Sequence, residues 1–153
     1  MSSFSATDLR RYDVLVVGAG FAGVGAAIKL KEAGIEDFAI LEKGSALGGT
    51  WRDNTYPGCA CDVPSSLYSF SFALNPDWSR FFAGQPEIER YLDRVAHDAG
   101  ILDHVHLDTE VLEAAWDDDA QHWEVQTSAG SYVTRVLIAG AGPLHEQIGR
   151  AHV

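Results

Sequence analysis

Four residues have the types and spacing to do chemistry together: Gly18, Gly20 and Gly23, and then Glu42, nineteen residues beyond the third glycine. The glycines sit in a G-x-G-x-x-G, Gly18-Ala19-Gly20-Phe21-Ala22-Gly23. Gly18 permits a tight turn, Gly20 lets the backbone come close to a pyrophosphate, and Gly23 lets a helix pack against a sheet. A helix starting at such a turn offers free N–H groups and a partial positive charge to phosphates. A carboxylate at Glu42 would accept hydrogen bonds from an adenosine ribose. It would also repel a ribose 2′-phosphate, so the site suits FAD or NAD and disfavours NADP.

These residues need elements to hold them. Val14, Leu15, Val16 and Val17 form a short apolar run, as in a strand buried on both faces. Phe21, Val24, Gly25 and Ile28 then recur at one-face helical spacing, and Phe38, Ala39, Ile40 and Leu41 form a second strand ending in Glu42. A glycine pattern alone is weak, but strand, turn, helix and strand in this order predict a dinucleotide-binding βαβ unit. The alternative is a structural βαβ unit without a ligand.

The 153 residues suffice for one domain with a core, and 46% hydrophobic with 22% charged residues describes an ordinary globular chain. A net charge of −11 argues against nucleic acid or an anionic membrane as partner. No apolar run approaches the length of a membrane span, and Met1 to Arg10 lacks an apolar signal core and reads as a polar tail. Cys59 and Cys61, one residue apart, suit neither a disulfide nor a structural zinc, which points to reduced thiols and a cytoplasmic setting.

After Glu42, Gly48-Gly49-Thr50-Trp51 places two residues without side chains before a hydroxyl and a large ring. That suits a loop over a cofactor's diphosphate and ring, or equally a turn with a core tryptophan. Asp53 to Phe72, DNTYPGCACDVPSSLYSFSF, lacks helical periodicity, is rich in turn formers, and carries Tyr56, Tyr68, Phe70 and Phe72. Long irregular segments inside a compact domain are usually functional.

The order GAGFAG, an acid ending the second strand, GGTW and then YPGCACDVPSSLYSFSF resembles the N-terminal part of the class B flavin monooxygenases, most closely the Baeyer–Villiger monooxygenases. The likeness continues through Asn75-Pro76-Asp77-Trp78-Ser79-Arg80 and Gln85-Pro86-Glu87-Ile88. It implies an α/β, Rossmann-like FAD-binding domain with a parallel sheet and a small antiparallel β-meander, incomplete at its C-terminus. It implies FAD contacts at Gly18, Gly20, Phe21, Gly23, Glu42, Gly49, Thr50, Trp51 and Tyr68, with the backbone around Val111 meeting the adenine. Asp62 would be the catalytic carboxylate near the flavin ring, although the residue alone reads as a turn cap. Many members carry an arginine just before the Cys-Asp pair, where this chain has Ala60. The full enzyme implied is an NADPH-dependent monooxygenase acting on a ketone or a soft heteroatom in a small molecule. Its NADPH site lies outside this chain, so the chain alone is expected to be inactive.

Two other classes share part of this pattern. A disulfide-type reductase wants C-x-x-C or C-x-x-x-x-C, and Cys59-Ala60-Cys61 is neither. A non-catalytic FAD-binding module would have this domain and no second fingerprint. Further on, Pro86 to Ala99 reads as a helix stopped by Gly100, with Ile88, Tyr91, Leu92 and Val95 as its apolar face. Val105–Leu107, Glu110–Trp116, Trp123–Thr127 and Tyr132–Ile138 read as strands, with Asp117-Asp118-Asp119 a solvated hairpin tip and no metal site. His104 and His106 are expected to be exposed on one strand face. The last strand runs into Gly140-Ala141-Gly142, and the resemblance implies that this returns the chain to the FAD-binding sheet. Residues 11–147 are expected to form the partial FAD-binding domain. Ile148-Gly149-Arg150-Ala151-His152-Val153 has no capping or docking pattern. It reads as a translation of a common short-read library adapter, atc gga aga gca cac gtc, so a non-native tail is expected there and His152 is no ligand.

Overall fold

The computed structural model describes residues 9–142. The expected boundary near residue 147 and the expected non-native tail at 148–153 lie outside the described residues. At the centre is β1 (Leu9–Val17), which pairs in parallel with β2 (Phe38–Leu41) on one side and β6 (Gly130–Ala139) on the other. Its apolar run is continuous because both faces are covered. Val14 and Val16 face a core with Val24, Phe38, Ile40 and Leu92, while Leu15 joins Ala39, Leu41, Val125 and Tyr132 on the other side. The strand begins at Leu9, so the last two residues of the expected polar tail pair with Ser131 and Tyr132.

The sheet has six strands in the order β3-β2-β1-β6-β5-β4, where β3 is Val105–His106, β4 Val111–Asp117 and β5 His122–Thr127. Strands β4, β5 and β6 form the antiparallel meander. Instead of forming a separate layer, the meander shares β6 with the parallel sheet. Ser131 to Thr134 pair with β5 on one edge and β1 on the other.

Two helices cover the first core. Helix α1 (Phe21–Glu32) buries Gly23, Val24, Ala27 and Ile28. Helix α3 (Gln85–Asp98) has proline in its first turn, Glu87 near its positive end, and Ile88, Tyr91, Leu92, Val95 and Ala96 buried. Leu92 is fully enclosed, and truncating such a side chain to alanine costs about 2–5 kcal/mol. Gly100, at φ +64°, ends the helix in a conformation that favours glycine.

The irregular stretch between these helices is ordered by hydrogen bonds that reach far along the chain. The Tyr91 hydroxyl accepts from Phe70 N–H (2.7 Å) and donates to Ala73 O (2.8 Å). The buried Ser65 hydroxyl accepts from Ala83 N–H and lies within donating distance of the carbonyls of Arg80 and Phe81. Thr50–Asp53 is one helical turn, α2, where a loop was expected. His104 and His106 do not share an exposed strand face. His104 sits in a 3-10 turn and stacks on Phe38 at 4.0 Å, while His106, on β3, is half-buried between the hydroxyls of Tyr12 and Tyr132.

Candidate functional site

A cleft of about 560 Å³ opens at the C-terminal ends of β1 and β2, within the usual range for small-molecule sites. The glycine turn forms its floor. Gly18 adopts φ +92°, and a Cβ there would lie 2.6 Å from the Gly140 carbonyl oxygen. A Cβ on Gly23 would overlap the Gly18 carbonyl oxygen. The protein itself therefore requires the first and third glycines. The second is different, because a Cβ on Gly20 would meet only Gly49 Cα, at an ordinary 3.7 Å. Internal packing does not demand a glycine at this position, so the space in front of it is free for a ligand. Helix α1 starts here without a side-chain cap, and Gly20, Phe21 and Ala22 line the cleft. Its first-turn N–H groups and positive end are thus presented to an anion.

Glu42 follows β2 and lines the cleft although it is only 4% exposed. Its Oε2 accepts from Ala19 N–H (2.8 Å), and its Oε1 accepts from Gly44 N–H (2.7 Å) and Arg52 Nη1 (2.8 Å). Burial pushes the carboxyl pKa up, but the bonds from Ala19, Arg52 and Gly44 outweigh it and hold the group below its usual range. Arg52 is held above its usual range, first by its hydrogen bond to Asp53 and then by Glu42, against the cost of burial.

The second glycine pair closes over the first. Gly48 N–H donates to Ala19 O (3.0 Å), and α2 follows at once. Trp51 is 8% exposed, packs with Cys61, Ala83 and Ile88, and donates from Nε1 to the Tyr68 hydroxyl (2.9 Å). Trp51 is therefore both core and cleft wall. Gln85 donates to the Trp51 carbonyl, tying α3 to this wall. Burial raises the Tyr68 phenol pKa, with a further push from Cys61 and Asp62. Phe21 packs edge-on against Tyr68 and tilted against Phe70, so the aromatic stretch gathers around the start of α1.

Of the expected cofactor contacts, Gly18, Gly20, Phe21, Glu42, Gly49, Thr50, Trp51, Tyr68 and Val111 line one cleft. Gly23 lies beneath it, against Gly18. Asp62 does not line it; the residue is exposed and lies close enough to Tyr68 to affect its phenol. Arg52, Thr109 and Glu110 also line the cleft, although nothing in the sequence singles them out, and so does Gly140-Ala141-Gly142, expected only to return the chain to the sheet. The second GAG after an apolar strand was a usable signal for the last of these. Cys59 and Cys61 are free thiols outside the lining, and Cys61 lies within donating distance of the Val63 carbonyl. On the meander hairpin, Asp117, His122 and Glu124 bring ligand atoms within 4.8 Å of one another. Asp117 Oδ1 is already engaged by the N–H groups of Asp119 and Ala120. No described helix is long and apolar enough to cross a membrane.

The parallel strands, the glycine turn at a helix start and the acid after β2 define a Rossmann-like dinucleotide-binding unit. Residues 16–84 match the model of the NAD(P)-binding Rossmann-like domain. The chain as a whole is similar to the N-terminal part of Baeyer–Villiger and FAD-binding monooxygenases. It is 51% identical over 133 residues to a Baeyer–Villiger monooxygenase of Streptomyces coelicolor, covering 87% of this chain and 26% of that protein. Among solved structures it matches oxidized steroid monooxygenase bound to NADP with TM-score 0.83 and 38% identity, over 92% of this chain and 28% of the other. It also matches OTEMO in complex with FAD and NADP, with TM-score 0.83 and 34% identity, over 92% and 27% of the two chains. The chain thus spans about a quarter of the length of the curated relative and structures it matches.

Proposed function

We propose that this chain is the FAD-binding part of an NADPH-dependent flavin monooxygenase. The observation that carries the reading is Gly20, where the open space lies between an uncapped helix start and a buried acid. The first-turn N–H groups of α1 would hold the pyrophosphate, Glu42 the adenosine ribose, and the backbone at Val111 the adenine. Gly49, Thr50, Trp51 and Tyr68 would hold the cofactor towards its ring, and Asp62, outside the lining, would be a carboxylate near that ring acting on its chemistry and not on its binding. Bound FAD supplies hydride acceptance and oxygen activation, which no side chain can provide. The chain's own residues would bind and orient it, with the hydrogen-bonded Trp51–Tyr68 pair as one wall. The substrate class is a ketone or a soft heteroatom in a small molecule, and NADPH binds to parts of the enzyme beyond these residues. The protein works in the cytoplasm, with neither nucleic acid nor membrane as partner, in keeping with its −11 charge and free thiols.

Purified wild-type chain should acquire a flavin absorbance spectrum on incubation with FAD and gel filtration. Gly20→Leu should lose it while keeping its circular dichroism, because the Cβ meets only Gly49 Cα at an ordinary contact distance and the side chain then occupies ligand space. Glu42→Ala should weaken binding by about 1–3 kcal/mol, as expected for a hydrogen bond to a charged group. Equal flavin retention by all three proteins would sink the reading.

A further inference from the structure

Arg52 was not singled out by its sequence context, yet the loop between β2 and α2 is built around it. Its Nη1 donates to Glu42 Oε1 (2.8 Å) and to the Ala46 carbonyl (2.6 Å). Its Nε and Nη2 donate to the two carboxylate oxygens of Asp53, at 2.7 and 3.0 Å. Four of the five guanidinium donors are therefore engaged inside the protein. Two glycines outside the fingerprint make room for the side chain. A Cβ on Gly44 would overlap the guanidinium, and one on Gly48 would lie 2.9 Å from Arg52 Cβ.

The effect on Glu42 is specific. Oε1 accepts two hydrogen bonds, from Gly44 and Arg52, which use both its lone pairs. Among the described residues Oε2 accepts one, from Ala19, and keeps capacity for another. An arginine close to this acid commonly signals a pocket for a ribose 2′-phosphate. Here the fork is bidentate on Asp53 and cannot turn to a phosphate without abandoning it. The other charged residues lining the cleft around Glu42 are Lys43, Asp53 and Glu110.

We propose that Arg52 is a positioning residue for the cofactor-binding acid. By filling Oε1 of Glu42 and drawing residues 44–48 around its guanidinium, it leaves Oε2 to receive a ribose hydroxyl and leaves no fork for a 2′-phosphate. This rests on the FAD reading above and adds to it which oxygen binds and which residue sets it. It also fixes the sign of a pH effect. Glu42 titrates below its usual range, so what its carboxylate contributes is complete above that range and is lost as pH falls through the lowered value. Without Arg52 the carboxyl pKa rises, and the loss moves to higher pH.

The test uses the whole chain as wild type, Arg52→Lys, Arg52→Gln, Glu42→Gln and the Arg52→Gln/Glu42→Gln double variant. FAD binding is followed by flavin fluorescence between pH 8 and pH 4, with ADP and 2′-phospho-ADP as competitors. Arg52→Gln should weaken FAD binding about tenfold and raise the pH of half-release. Arg52→Lys, which keeps the charge and loses the fork, should fall between it and wild type. The double variant should lose less than the product of the two single losses, and ADP should compete where 2′-phospho-ADP does not. Wild-type affinity and release pH in both arginine variants would overturn the proposal, as would losses that multiply or equal competition by the phosphorylated nucleotide. If Arg52→Gln does not fold, Arg52→Lys decides. A wild type that never takes FAD defeats the earlier reading instead. The acid-unfolding midpoint of the ligand-free chain then still reports whether Arg52 holds Glu42, through a rise in Arg52→Lys or its absence.

Discussion

The two ends of the cleft are built differently. At the Glu42 end the acid and the arginine beside it are held by partners within the chain. The acid holds two backbone N–H groups and an arginine, and the arginine holds a second acid and a carbonyl. At the other end Trp51 and Tyr68 line the cleft, but their neighbours in the aromatic stretch do not: Tyr56 is 62% and Leu67 73% exposed, Asp62 is exposed, and none of the three lines the cleft. An adenosine half can be recognised by rigid backbone and one buried carboxylate, and a single βαβ unit supplies both.

Three substitutions would break or sharpen that contrast. Gly23→Ala attacks the closed end, because its Cβ collides with the Gly18 carbonyl, which is backbone and has nowhere to go. A loss of about 3 kcal/mol or more in urea unfolding is expected, and wild-type stability would show that the turn is softer than its contacts imply. Tyr68→Phe acts at the boundary between the two ends by removing the acceptor of the Trp51 indole N–H. It should cost about 1 kcal/mol and redden or broaden the Trp51 emission, and an unchanged spectrum would mean the indole has another acceptor. Asp62→Asn acts at the open end, where stability should stay within about 0.5 kcal/mol of wild type. FAD affinity should also be unchanged, because the residue lies outside the cleft lining. A large loss of affinity would place Asp62 in the binding site itself.

The amino-acid order by itself determined whatever depends on neighbours in the chain. The β1–turn–α1–β2 unit, the acid at its end, the apolar face of α3 and the strands of the meander follow from periods of 2 and 3.6 residues and from glycine at a turn. Those features hold in the structure, most with shifts of a residue or two at their ends, while β1 starts five residues before the apolar run at Val14 and takes in the end of the expected tail. The shared use of β6 by both halves of the sheet was not legible, because strand pairing is a long-range event. Nor was the ordering of the aromatic stretch by Tyr91 and Ser65, whose partners lie 15 to 21 residues away. His104 and His106 alternate correctly for one strand face, yet the fold puts only His106 in a strand and gives both ring partners that no local pattern records. Arg52 shows the limit most plainly. A charged residue after a tryptophan carries no local signal, and only the return of residues 44–48 around its guanidinium turns it into the support of Glu42. Propensity and spacing report what a segment can become on its own, whereas which side chain meets a buried carboxylate is decided by where the rest of the chain closes.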